Sequence, residues 1–323
     1  MFILGLGGSG HDFSACICDE HNVLGYVEDE RITRLKNSFL LHNRSKISEM
    51  NSVFYLCDKL QIDIKDIKHV VINNILEKIF YSNFFSDHDI ISINHHLAHA
   101  CSAFYPSGFD EAAILVVDGA GDKLDDGTSE TISFWYGDRS GLQNLLTFSG
   151  KQISENIYND TIMPFENSIG GFYRAVTNLL GFGLFDEGKV MGLASYGNDR
   201  FCKSMRNLVS LEENGAFVVT CKGYENLVLM SEDLSSFQDK ADFAFAAQTI
   251  TNDAVLNAAV ALKNVTGCKH ICISGGVALN SVANYKIYKK NIYEDFFIQP
   301  ASGDAGTAIG AALYGMHSAR VRH

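Results

Sequence analysis

The sequence predicts an α/β protein built as two similar lobes around a cleft. Three observations lead there. Apolar strand-like runs alternate with helical patterns along the chain, the arrangement that covers a sheet with helices. One local pattern, strand, glycine-rich loop, strand, turn, occurs at Phe2–Cys18 and again at Ala112–Tyr136, about 110 residues later. Several of these strands run directly into glycine- and aspartate-rich loops, where open α/β sheets bind ligands.

The elements follow in order. Phe2–Leu6 reads as a strand running into Gly7-Gly8-Ser9-Gly10, and strands Phe13–Cys18 and Val23–Val27 flank a turn at residues 19–22. Apolar spacing marks a helix over Ile47–Leu60. The strand Ile90–Ile93 leads to Asn94, a good N-cap, and to a short helix from His95 to Tyr105 that Pro106 stops. Ala112–Val117 runs into Asp118-Gly119-Ala120-Gly121-Asp122, and Glu130–Tyr136 is the next strand. Helices are expected over Gly170–Leu180 and over the long, Ala-rich Asp239–Lys263. His270–Ser274 ends in Gly275-Gly276-Val277-Ala278-Leu279-Asn280. Asp295–Gln299 ends in residues 300–306, and a small-residue helix, Thr307–Met316, follows. No Pro/Ser-rich linker interrupts the chain, so residues 1–111 and 112–323 are expected as two intimate lobes.

Composition narrows the function. With 46% hydrophobic and 20% charged residues the 323-residue chain is neither disordered nor a coiled coil. Its net charge of −12 argues against nucleic acid as a partner, because phosphate backbones are held by clustered cations. The eight cysteines contain no CxxC pair and sit mostly in apolar runs, as buried thiols of a reducing compartment do. The start lacks a basic n-region, and no apolar run reaches the roughly 18–20 residues of a membrane span. A soluble, cytoplasmic protein with no membrane partner is therefore expected.

The sharpest chemical signal is Asn94-His95-His96-Leu97-Ala98-His99, with three histidines in five residues at a helix start. His95 and His99, four apart, share a helix face and can reach one metal; His96 and His99, three apart, are the alternative pair. Asp118 and Asp304 sit at strand ends, where a rigid sheet aims a carboxylate into the cleft. Together these residues form a His/Asp set with open positions. Nitrogen and oxygen ligation without thiolate suits Fe²⁺, Mn²⁺ or Zn²⁺, and an open position suits catalysis. The glycine loops at 7–10, 118–121 (Gly119, Gly121) and 275–276 point to a nucleotide held by backbone N–H groups. No GK[ST] follows any of them, so a duplicated two-lobe nucleotide fold is the better expectation. His11 follows the first glycine loop, where a general base or a phosphate donor sits. Residues 186–193 carry Glu187 and Lys189 in what reads as a loop of glycines and apolar residues.

Six stretches carry a family resemblance: GLGGSGHDFSACI, VEDERITRLKN, NHHLAHACSAFYPSGFDEAAILVVDGAGD, DEGKVMGLASYG, ISGGVALNSVANYKI and QPASGDAGTAIGAAL. Spread from residue 5 to residue 313, they resemble the carbamoyltransferase family of NodU, CmcH and TobZ. That family is related to the enzymes that place threonylcarbamoyl on tRNA adenosine. The resemblance implies an α/β, duplicated actin/sugar-kinase-like (ASKHA) two-lobe fold with an interlobe nucleotide and metal cleft. It implies one divalent metal, Fe²⁺ first and Zn²⁺ or Mn²⁺ as alternatives, on His95, His99, Asp118 and Asp304, with His96 a neighbour. It places ATP, ADP or carbamoyl-adenylate against Gly275, Gly276, Asn280 and the turn from Gly303 through Gly306 to Thr307. His11 matches the histidine near the transferred group, and Lys189 the lysine of the GKxMGLA stretch.

The implied reaction joins ATP and carbamoyl phosphate into carbamoyl-adenylate, then moves the carbamoyl group to a hydroxyl or amine of a small natural product. In the family a YrdC-like domain performs the first step. The sequence here reaches His323 just after the GDAGTAIGAAL stretch, so a separate YrdC-like activating protein is the expected partner, beside a small-molecule acceptor and self-association into a homo-oligomer. The chain alone is expected to release no pyrophosphate from ATP. A tRNA threonylcarbamoyladenosine-forming subunit and a non-catalytic nucleotide-binding subunit are the alternatives. The charge and the spellings HHLAHACSAF and DEGKVMGLASYG favour the small-molecule reading.

Overall fold

The computed structural model describes residues 1–37, 50–76, 84–154 and 164–321. Two five-stranded sheets organise it. The first is made of β1 (Phe2–Gly8), β2 (Phe13–Cys18), β3 (Val23–Glu28), β4 (Ile67–Asn73) and β5 (Asp89–Ile93), in the order β3-β2-β1-β4-β5. β1, β2 and β3 pair antiparallel, whereas β4 and β5 add parallel to β1. The second contains β6 (Ala112–Val117), β7 (Ser129–Asp138), β8 (Gly141–Gly150), β11 (His270–Ser274) and β12 (Asp295–Ile298), in the order β12-β11-β6-β7-β8. Its pairing directions match those of the first sheet strand for strand. The repeat seen in the sequence is thus a duplicated lobe. β6 lies at the centre of its sheet, and AAILVV is buried throughout, the run expected of a strand covered on both faces. A small ribbon of β9 (Val209–Leu211) and β10 (Phe217–Val219) stands apart.

Helices form layers outside and between the sheets. Asn51–Leu60 covers the outer face of the first sheet, with Val53 and Leu56 against Leu4, Leu6 and Ile17. Ile169–Leu179 and the long Phe237–Thr266 cover the second. Ser236 caps the long helix in a reciprocal box with Asp239, so that it begins at Phe237, two residues before the expected start. Two further helices lie between the sheets. His95–Phe104 lays Ala100, Ala103 and Phe104 on Ile114, Val116 and Trp135 of the second sheet. Thr307–Val321 lays Ala308, Ala311, Ala312 and Met316 on Ile3, Cys16 and Val71 of the first. The last helix, expected with residues 112–323, therefore packs with the first lobe. All eight cysteines are free thiols, six of them buried.

Three expectations are corrected. Residues 186–193 are not a loop: Glu187–Ala194 is a helix, in which Gly188 and Gly192 meet no neighbouring atom and cost only propensity. The helix expected from Ile47 begins at Asn51, and residues 47–49 lie outside the described residues. β4, β8 and the helices Cys221–Ser231 and Ser281–Lys290 are additional elements.

The two central helices touch through small residues. A Cβ on Gly310 would stand 1.8 Å from the Ala98 carbonyl oxygen, and one on Gly7 would stand 2.0 Å from the Ala308 nitrogen. Both neighbours are backbone atoms inside helices, so neither contact can be relieved by a side chain moving. Gly310→Val is therefore expected to lower stability by about 3 kcal/mol or more. Gly188→Ala, in an exposed helical turn, is expected to be neutral or to gain about 0.5–1 kcal/mol. Denaturant unfolding of the two variants checks both; equal midpoints would contradict the crossing described here.

Candidate functional site

The histidine helix begins where β5 ends. Asn94 caps it: Oδ1 accepts the Leu97 N–H at 2.8 Å, while Nδ2 donates to Glu130 at 2.9 and 3.0 Å and to Asp122 at 3.0 Å. Asp122 also accepts the His95 N–H at 3.3 Å and the Asn74 amide at 2.8 Å. The first helical turn is thereby fixed to both sheets. One turn apart, His95 and His99 bring their Nε2 atoms to 3.2 Å.

The two carboxylates follow two strands of the second sheet, β6 and β12. Asp118 follows β6, and its Oδ1 accepts the N–H of Gly119 at 2.8 Å and of Gly276 at 3.1 Å. That leaves Oδ2 facing the histidines, 3.1 Å from His95 Nε2 and 3.6 Å from His99 Nε2. Asp304 Oδ1 lies 3.5 Å from each Nε2, and its Oδ2 lies 3.3 Å from His11 Nε2. The turn carrying Asp304 is pinned to the first lobe, where Asp12 accepts the Ala305 N–H at 3.1 Å and Ser14 donates to the Ala305 carbonyl at 2.5 Å. Asn73 donates to Thr307 Oγ1 at 2.7 Å, which in turn accepts the Gly8 N–H at 3.1 Å.

One ligand-type atom from each of His95, His99, Asp118 and Asp304 falls within 4.8 Å of the others. Two imidazole nitrogens and two carboxylate oxygens converging in a buried space fit a divalent metal of the Fe²⁺, Zn²⁺ or Mn²⁺ kind. Ser274 Oγ, 3.1 Å from His99 Nδ1, fixes that ring from behind, as outer partners of metal-binding histidines do. His96 turns away. Its Nδ1 meets Ser133 Oγ at 2.8 Å, and burial pulls its pKa down to about 3, so it stays neutral. The four-apart pair, not the three-apart pair, faces the carboxylates.

Without a metal the cluster balances its own charge. Burial disfavours the charged form of His95, yet Asp118 and Asp304 outweigh it and raise the pKa to about 10. His99 is also raised, against burial, by the same two carboxylates. Burial opposes the charge on Asp118 and Asp304 too, but the histidines hold both below the usual carboxylate range. His11 is raised to about 9: burial lowers it, and Asp12 and Asp304 more than compensate.

The other expected site residues divide. Gly275 has φ +97 and approaches Val117 so closely that a Cβ would sit 2.2 Å from its carbonyl oxygen, which brings the end of β11 against the Asp118 loop. The N–H groups of Gly119 and Gly276, expected to face phosphate, are instead donated to Asp118 and orient it. Asn280 caps Ser281–Lys290 through the Ala283 N–H at 3.1 Å and exchanges hydrogen bonds with Gln248 at 3.0 and 3.1 Å. Gly121 lies against His96, Gly306 against the Ala301 carbonyl, and Gly303 beside Leu279. Lys189 does not join the cluster; its Nζ pairs with Asp186 at 2.7 Å. Sequence reasoning missed Glu130 and Ser274. The signal for Glu130 was a carboxylate in a strand whose other polar residues are mostly small hydroxyls, and for Ser274 a hydroxyl at the end of the apolar run Ile271–Ile273.

A family profile described as "Carbamoyltransferase N-terminus" matches residues 81–313. The chain belongs to this carbamoyltransferase family. The match takes in His95, His99, Asp118 and Asp304 and begins after His11. Over 332 aligned residues the chain is 29% identical to nodulation protein NolNO of Sinorhizobium fredii, covering 94% of this chain and 46% of that protein. It is 33% identical over 227 residues to nodulation protein NolO of Bradyrhizobium diazoefficiens, covering 68% and 38%. The chain thus spans less than half of either of these carbamoyltransferase-family relatives. Among solved structures, HypF of T. kodakarensis superposes with TM-score 0.68 at 16% identity, over 99% of this chain and 48% of that one. The activator of the 2-hydroxyisocaproyl-CoA dehydratase from Clostridium difficile, with bound ADPNP, does so with TM-score 0.57 at 15% identity, over 100% and 97%. The fold is the duplicated actin/sugar-kinase-like one. No helix among the described residues is long and apolar enough to cross a membrane.

Two outcomes are expected of this carbamoyltransferase-family chain. Metal analysis should give about one equivalent of Fe, Zn or Mn, lost in His99→Ala and retained in His96→Ala. Because the metal-free histidines carry raised pKa values, metal must expel their protons. Affinity should therefore fall as pH falls, with proton release near neutral pH. Titration calorimetry in buffers of different ionisation enthalpy reads the released protons; buffer-independent heats would contradict the assignment.

Proposed function

We propose that this chain carries out the transfer step of a carbamoyltransferase, moving the carbamoyl group of carbamoyl-adenylate to a hydroxyl or amine of a small natural product. The observation that carries the proposal is the placement of His11. Its Nε2 lies 3.3 Å from Asp304, which also borders the His95/His99/Asp118 cluster. A proton acceptor thus adjoins the polar centre where the carbamoyl carbonyl would sit. Membership in the carbamoyltransferase family supports the reaction class. HypF in its phosphate- and nucleotide-bound form shares this fold, which supports a nucleotide in the cleft.

In this reading the acceptor oxygen or nitrogen attacks the carbamoyl carbon, and the bond from that carbon to the phosphate oxygen breaks. AMP leaves with the bonding electrons, and the acceptor proton passes to the neutral form of His11, whose share grows as pH rises toward its raised pKa of about 9. Asp12 and Asp304 stabilise the imidazolium that results. His95, His99, Asp118 and Asp304 would hold the metal, which when bound supplies a Lewis acid that polarises the carbamoyl carbonyl. Gly275 and the Gly303–Gly306 turn let backbone approach the nucleotide closely. A YrdC-like domain or protein would make the carbamoyl-adenylate from ATP and carbamoyl phosphate.

The test supplies preformed carbamoyl-adenylate with a panel of small alcohols and amines and follows AMP by chromatography. The expected result is acceptor-dependent AMP release above buffer hydrolysis. In His11→Ala it should fall by about 10²–10⁴-fold with metal content unchanged. AMP release equal to that in buffer alone would sink the proposal.

A further inference from the structure

We propose that Phe185 is a positioning residue for His11, and that Lys189 serves the site only through the turn that presents Phe185. The inference rests on the reading of His11 as the proton acceptor. Phe185 has φ +62, and among the described residues it is the one aromatic side chain in the left-handed region; the other non-glycine residues there are Arg34, Asn37, Met50, Gln61, Asn167 and Asn291. A bulky residue stays in that region only where its surroundings over-determine it, and such residues gather at functional sites.

The surroundings are on view. Asp186 Oδ2 accepts the Gly183 N–H at 3.0 Å and the Lys189 ammonium at 2.7 Å, closing the turn from one side. Arg174, buried, closes it from the other, donating to the Gly183 carbonyl at 3.3 Å and pairing with Glu187 at 3.4 Å. Its guanidinium also lies 5.9 Å from the Phe185 ring. The turn is thus clamped at 183, 186 and 187, and the residue between is driven outward across the cleft. There its ring meets that of His11, with centroids 4.0 Å apart and planes tilted by 40°.

The contact supplies what His11 otherwise lacks. Asp12 and Asp304 approach the imidazole at its nitrogens, Nδ1 at 3.6 Å and Nε2 at 3.3 Å. Carboxylates at the ring edge fix direction but resist tilting weakly. A ring against the face resists tilting directly and screens that face from water. The second lobe, which carries Phe185, thereby sets the orientation of a base carried by the first.

The experiment compares the parent chain with Phe185→Gly, Phe185→Asn, Phe185→Tyr and Lys189→Gln. Three quantities are read: the melting temperature, the rate at which diethyl pyrocarbonate modifies His11 (mapped by peptide mass spectrometry), and kcat and KM with preformed carbamoyl-adenylate. Glycine adopts φ +62 freely and asparagine tolerates it, so neither variant should melt below the parent. In both, His11 should be modified several-fold faster, and kcat should fall about 10- to 100-fold with acceptor KM little changed. Phe185→Tyr should keep parental values, and Lys189→Gln should shift the same way as glycine by less. Parental modification rate and kcat in Phe185→Gly, or a tyrosine variant as impaired as the glycine one, would overturn the proposal. A parent chain that transfers nothing refutes the carbamoyl-transfer reading, and the modification rates still decide the role of Phe185.

Discussion

Everything at the centre of this molecule depends on how closely backbone can approach backbone. Two helices fill the space between the sheets, and they fit because glycines and alanines line their contacts. Gly310 admits the Ala98 carbonyl, and Gly5 and Gly7 admit the Ala308 turn. Their side-chain volumes are what hold the sheets at this separation. A wider crossing would move the helix bearing His95 and His99 away from the turn bearing Asp304. Those residues could then no longer converge, because each side chain is tied at its base: Asn94 by Glu130, Asp118 by two N–H groups, and Asp304 by the clamp on Ala305.

The same packing creates an electrostatic problem and its answer. Imidazoles and carboxylates in a dry interior are costly singly, but placed together they neutralise one another. Asp304 is shared, one oxygen toward His95 and His99 and the other toward His11. The candidate metal cluster and the candidate base are therefore one charge network, and the carboxylate between them lets a change at either be felt at the other. His96 shows the alternative solution in the same helix. It has no carboxylate, is held by a serine, and stays uncharged.

Much of this was legible in the sequence because it is written locally. Apolar runs ending in Gly or Asp marked β1, β6 and β11, and the Asn94 cap and histidine spacing marked the helix and its face. Residue spacing left two histidine pairs open, and only the rotation of the helix against Ser133 and Asp118 chose between them. What the sequence hid depends on distant partners. Gly188 and Gly192 read as helix breakers, yet the helix forms because Val190 and Ala194 bury against the second lobe's core. Glycines 119 and 276 looked like phosphate-binding N–H groups, but the partner they found is the carboxylate of Asp118, from a loop more than 150 residues before Gly276. Lys189 carried a conspicuous motif whose partner, Asp186, is in the same turn. Phe185 had no pattern at all, since a strained φ leaves no mark in an amino-acid string.

The packing of the last helix has a consequence for the order in which the chain acquires structure. β1 is covered on its inner face by Ala308 and Ala312, some 300 positions later. Until that stretch is synthesised, the inner face of the first sheet has no permanent cover, and Asp304 is absent from the cluster. The nascent protein must therefore carry an open apolar surface while the residues between β1 and that helix are made, as chains with such distant contacts do. Its two lobes follow one another along the chain, but they mature together, when the helix Thr307–Val321 is laid down on the first sheet.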